Sequence, residues 1–87
     1  MRSQADKASA FRALHERPGA FIIPNPWDAG TAKLLAAVGF EALATTSLGL
    51  ANMLGRADSK VSRTEVIANC RAIAEAVDLP VNVDLEN

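Results

Sequence analysis

Three short apolar runs, residues 20–24, 41–46 and 81–84, are separated from one another by stretches of helix length, and nothing between consecutive runs reads as a tight hairpin. Strands joined through helices pair in parallel by right-handed crossovers, whereas hairpins join antiparallel neighbours. The chain is therefore read as α/β. That order leaves two architectures, a doubly wound open sheet and a (β/α)8 barrel. A dinucleotide-binding sheet wants G-x-G-x-x-G after its first strand, and here that turn is Asn25-Pro26-Trp27-Asp28-Ala29-Gly30. A barrel takes about 250 residues, so a chain of 87 holds only the first three of its βα units. Three strands alone leave two parallel edges open.

The helices carry clear end signals. Ser3 and Asp6 stand in the S-x-x-D arrangement at the head of a helix running to Arg17, with Ala10, Phe11 and Leu14 as its apolar side and Pro18-Gly19 as its stop. Asp28 is placed to cap a helix over residues 29–38, and Gly39 is the left-handed residue expected just past its end. Ser62-Arg63-Thr64-Glu65 is a capping box, Val61 can staple onto Val66, and that helix runs to about Val77. The run at 20–24 shows no alternation, the pattern of a strand covered on both faces. From Leu48 to Lys60 the sequence has no clean period, and ordered connections of such length are usually functional.

Composition narrows the function classes. Apolar residues make up 49%, charged residues 22% and the formal net charge is −1, so a soluble, cytoplasmic globular chain is expected. Nine basic residues lie scattered among ten acidic ones, without the basic stripe of a nucleic-acid partner. No apolar stretch approaches the ~20 residues that span a bilayer, and Met1-Arg2-Ser3-Gln4 leads into a polar helix rather than a signal-peptide core. The single cysteine, Cys70, excludes an internal disulfide and falls on the stripe Val66, Cys70, Ile73, Val77, which predicts a buried, inert thiol. His15 stands among Arg12, Glu16 and Arg17 and reads as a surface histidine.

The chemistry gathers at the last stretch, Val81-Asn82-Val83-Asp84-Leu85-Glu86-Asn87. Residues i and i+2 of a strand point to one side, so Asp84 and Glu86 can face one point beyond the strand's carboxyl end, where α/β proteins place ligands. Two like charges so close favour a cation between them or full access to water. Magnesium, which takes one or two carboxylates and keeps several waters, suits the first case. A solvated acidic loop is the simpler reading of the spacing taken by itself.

Pro24-Asn25-Pro26-Trp27-Asp28-Ala29-Gly30, then Ala44-Thr45-Thr46-Ser47-Leu48-Gly49, then Val83-Asp84-Leu85-Glu86-Asn87, in that order, resemble the isocitrate lyase/phosphoenolpyruvate mutase superfamily, closest to its phosphonomutase-like branch. The resemblance implies a modified (β/α)8 barrel, cytoplasmic and oligomeric with copies of itself. It also implies Mg²⁺, with Mn²⁺ as a substitute, and cleavage or rearrangement of a C–C or P–C bond in an α-oxo acid, phosphonate or enolate. By the same resemblance Asp84 and Glu86 hold the metal, directly or through water, and Asp58 belongs to its neighbourhood. Ser47, Leu48 and Gly49 match the segment whose hydroxyl and amides bind the substrate's carboxylate and enolate oxygen.

The chain also departs from the family. Where the common metal pattern is D-x-D, this sequence has D-x-E. The family's glycine-containing turn and its mobile catalytic loop would fall after Asn87, so no catalytic acid or base is assigned, and the 87 residues by themselves are expected to be inactive. Residues 1–87 are accordingly read as a partial barrel domain that continues in a longer protein. The competing reading is a non-catalytic fragment or assembly module that keeps the front of the fold. Simpler roles also exist for single residues: Ser47 closing an ST-turn, Asp58 as a solvated loop acid, and Trp27 as packing that shapes the first loop.

Overall fold

The computed structural model describes residues 1–84. Its elements are α1 (Gln4–Glu16), α2 (Ala29–Val38), β1 (Leu43–Ala44), α3 (Ser47–Met53), α4 (Arg63–Ala76) and β2 (Val81–Asn82). Helix α2 packs on α4, and β1 pairs in parallel with β2, Leu43 opposite Val81 and Ala44 opposite Asn82. Leu43, Ala32, Ile73 and Val77 form the core between the sheet and these two helices. No helix among the described residues is long and apolar enough to cross a membrane.

Each helix begins where its cap demands. Ser3 with Asp6, Asp28 with Thr31, and Ser62 with Glu65 all close reciprocal capping boxes, and Gly39 ends α2 in the left-handed region at φ 115°. The connection expected after Ser47 contains a helix of its own, α3, because Thr46 caps its first turn by accepting the Gly49 N–H at 3.3 Å.

The first of the three expected strands is not formed as a regular strand. Residues 20–24 run beside β1 and share one main-chain hydrogen bond with it, from Ala44 N–H to the Pro24 carbonyl at 3.0 Å. In a parallel ladder the next bond would come from the N–H of residue 26 to the Ala44 carbonyl. Residue 26 is proline and has no N–H. The Asn25 side chain takes its place, donating Nδ2 to the Ala44 carbonyl at 2.9 Å. The run is not covered on both faces either: Ile22 is 73% exposed.

Polar contacts tie helix α1 and its flanking residues to the rest of the chain. Its expected apolar side supplies one buried residue, Leu14, and the other buried residue is Lys7. Lys7 Nζ donates to the carbonyls of Ala74 at 3.2 Å and Val77 at 3.0 Å, at the end of α4. The last carbonyls of a helix have no intrahelical donor, and a cation there is favoured by the helix dipole. Arg2 hydrogen-bonds Asp78 just beyond, and Arg17 forms a two-point contact with Glu41 at 3.1 and 3.2 Å. His15 is exposed, edge-on to Phe11 and Phe21.

Candidate active site

Parallel pairing sends the segments that follow β1 and β2 out of the same end of the sheet. There Thr45 joins the two strands by both of its polar groups. Its N–H donates to the Asn82 carbonyl at 2.8 Å, and its Oγ1 accepts the Asp84 N–H at 2.7 Å. Thr45 is buried, whereas Asp84 is exposed. Among the described residues no arginine or lysine pairs with the Asp84 carboxylate.

Ser47, Leu48 and Gly49 form the first turn of α3, directly after the capping residue Thr46. Gly49 is buried, Ser47 half-buried and Leu48 exposed. First-turn amides are the ones that lack an intrahelical acceptor, although the Gly49 amide is already taken by Thr46. The Trp27 indole packs on Gly49. The Trp27 carbonyl in turn accepts Asn69 Nδ2 at 3.0 Å, so α4 holds the first loop in place. Asp28 is committed to capping α2, and its hydrogen bonds with Thr31 hold its carboxyl below the usual carboxylate range.

Asp58 is exposed, and its Oδ1 accepts the N–H of Ser59, the one described non-glycine residue with positive φ, at 73°. The loop that carries it is pinned to α4 by Arg56, which contacts Glu65 at 2.5 Å and, with the Ser62 amide, holds that carboxyl down to about 2. Glu86 lies outside the described residues. Among those described, no three Asp, Glu, His or Cys side chains gather in a metal-binding group. Cys70 is half-buried rather than buried. Burial pushes its thiol up, the Thr45 hydroxyl opposes this, and the charge of Asp84 adds to it.

The donor chemistry fits a hard divalent ion bound largely through water. An accessible carboxylate at a strand's carboxyl end, with no cationic partner among the described residues, offers the one-carboxylate anchor that magnesium accepts. Nothing in the sequence taken alone marks Thr45, Thr46, Asn25 or Asn69 as functional. A cap-forming Thr46 three residues before Gly49 was visible there; the Thr45 contact, 39 residues away along the chain, was not.

Comparison with known proteins shows which family the chain is similar to. The family model described as phosphoenolpyruvate phosphomutase matches residues 11–87. The crystal structure of a candidate lyase/mutase from Burkholderia cenocepacia J2315 is 60% identical, with a TM-score of 0.93 over 97% of this chain and 30% of that one. The 2,3-dimethylmalate lyase of Eubacterium barkeri is 35% identical over 91% of this chain and 28% of its own length. The phosphoenolpyruvate phosphomutase of Streptomyces platensis superposes with a TM-score of 0.83 at 28% identity, over 88% of this chain and 27% of that one. The chain thus spans about 30% of the length of the relatives it matches. With the model match running from α1 to the acidic terminus, the chain belongs to the phosphoenolpyruvate phosphomutase family of the PEP mutase/isocitrate lyase superfamily.

Proposed function

We propose that these residues are the front of a (β/α)8 barrel that cleaves or rearranges a C–C or P–C bond in an α-oxo acid or phosphonate substrate. The observation that carries the reading is the junction at the strand ends. Asp84, which follows β2, is bonded through its N–H to Thr45, and Thr45 stands two residues before Ser47 in the turn that opens α3. An anionic substrate seated on the first turn of α3 therefore lies at the same end of the sheet as Asp84.

Asp84, with Glu86 and Asp58, would hold Mg²⁺ or Mn²⁺, which when bound supplies positive charge against the developing enolate. The Ser47 hydroxyl and the first-turn amide of Leu48 orient the substrate's carboxylate and enolate oxygen by hydrogen bonding. Trp27, packed on Gly49, fixes the position of that turn. Reaction class depends on the proton-transfer group, which none of the named residues supplies. Such a group typically contributes about 10²–10⁴-fold.

The test compares the 87-residue chain with a barrel-length chimera in which these residues replace the matching segment of the Burkholderia relative. Both are assayed for pyruvate release from oxaloacetate, methylisocitrate and dimethylmalate, with and without EDTA. EDTA-sensitive turnover by the chimera alone supports the reading. Comparable turnover by the short chain would show that the proton-transfer group lies within these 87 residues and overturn the reading. Ile22, Leu34 and Val38, at 73, 67 and 75% exposure, favour a second reading in which the chain associates with copies of itself as an assembly module. An inactive chimera together with a stable oligomer of the short chain would support that alternative.

A further inference from the structure

The bond between Asp84 and Thr45 replaces a rung of the β-ladder. Leu43 N–H donates to the Pro80 carbonyl and Thr45 N–H to the Asn82 carbonyl, so the next bond of a parallel ladder would run from the Asp84 N–H to the Thr45 carbonyl. The Asp84 N–H goes instead to the Thr45 hydroxyl, at 2.7 Å. This substitution frees the main chain after β1 to turn at once into α3, capped by the next residue, Thr46. The end of β2 stays tied down regardless. Thr45 is only 8% exposed, so its hydroxyl has little competition from water for that N–H.

Resting on the reading of Asp84 as a metal-facing carboxylate, we propose that Thr45 is a positioning residue for it: its hydroxyl fixes the Asp84 backbone and so the direction in which the carboxylate leaves the strand. Thr45 touches neither metal nor substrate in this role. It couples the two halves of the site, because the residue that clamps Asp84 immediately precedes the cap of the turn carrying Ser47 and Gly49. A hydroxyl is required, and a shape-matched valine cannot supply it.

The experiment measures Mn²⁺ affinity by electron paramagnetic resonance and Asp84 amide hydrogen exchange by NMR in the barrel-length chimera that carries these 87 residues, with thermal melting as a check on folding. The variants are Thr45→Val, Thr45→Ser and Asp84→Asn. Thr45→Val is expected to weaken Mn²⁺ binding about tenfold, the loss equivalent to one ordinary hydrogen bond, and to remove the amide's protection while the fold persists. Thr45→Ser is expected to restore both. Thr45→Ala serves in the same role if the valine variant does not fold. Wild-type affinity in Thr45→Val, with binding lost in Asp84→Asn, would overturn the inference and leave the proposed function standing. Absence of Mn²⁺ binding in the unaltered chimera would overturn both.

Discussion

The Trp27 indole lies directly against the Cα of Gly49: a methyl group built on that glycine would stand 2.5 Å from Trp27 Nε1 and 2.6 Å from Thr46 Cγ2. Gly49 has helical backbone, so glycine is required there for space and not for a left-handed φ. Through this contact the loop after residues 20–24 and the turn after β1 set each other's position.

Gly49→Ala is therefore expected to cost about 1–3 kcal/mol, the usual penalty for overpacking. It should also shift the fluorescence of Trp27, the single tryptophan of the chain. Trp27→Ala opens the space, so the double variant should be more stable than the two single losses added together. Urea unfolding of the four-member cycle checks this, and strict additivity would show that the indole is not what the methyl meets.

Lys7→Met keeps the apolar stem but leaves two carbonyls at the end of α4 without their donor. A loss of about 2 kcal/mol is expected, in the range for hydrogen bonds to charged groups. Arg17→Met, which breaks an ion pair with both side chains at least half exposed, should change stability by less than about 1 kcal/mol. Denaturant midpoints for the two variants separate the cases, and equal losses would contradict the ranking.

Acid should lower the stability of the chain in a defined window. Glu65 is held down to about 2 by Arg56 and the Ser62 amide, and Asp28 and Asp78 are also held below their usual range by hydrogen bonds from Thr31 and Arg2. The unfolded chain takes up protons first, at about pH 4. Stabilisation from these groups is therefore complete above that value and is lost as the pH falls toward about 2, where Glu65 protonates in the folded chain. Thermal melts against pH should show this limb, and Arg56→Met should move it to higher pH. An unmoved limb would mean that Arg56 does not hold Glu65 down.

Short-range signals in the sequence are the legible ones. Ser3, Asp28, Gly39 and Ser62 cap their helices within three or four residues, and all four caps form as the sequence suggests. The strands were harder to read. The run at 20–24 has strand composition, but its ladder ends at Pro26, whose consequence depends on which β1 carbonyl lies opposite. Helix α3 was hidden because it is only 7 residues long, too short for an apolar period to repeat. Lys7 gave no sign of its role, since a lysine in a polar helix looks solvated until the end of α4, 67 to 70 residues later, is folded against it. At the candidate site the exposed acids could be named from sequence; Thr45, which ties Asp84 to β1, could not.

Metal-dependent turnover of the barrel-length chimera, carrying either Asp84→Ala or Cys70→Ala, tests the metal-facing role of Asp84 most directly. Both residues lie near the Thr45 hydroxyl, but only Asp84 offers an exposed carboxylate, while burial pushes the Cys70 thiol up. Asp84→Ala is expected to abolish Mg²⁺-dependent activity and Mn²⁺ binding together, and Cys70→Ala to retain both. An Asp84→Ala variant with unchanged metal dependence would contradict the assignment.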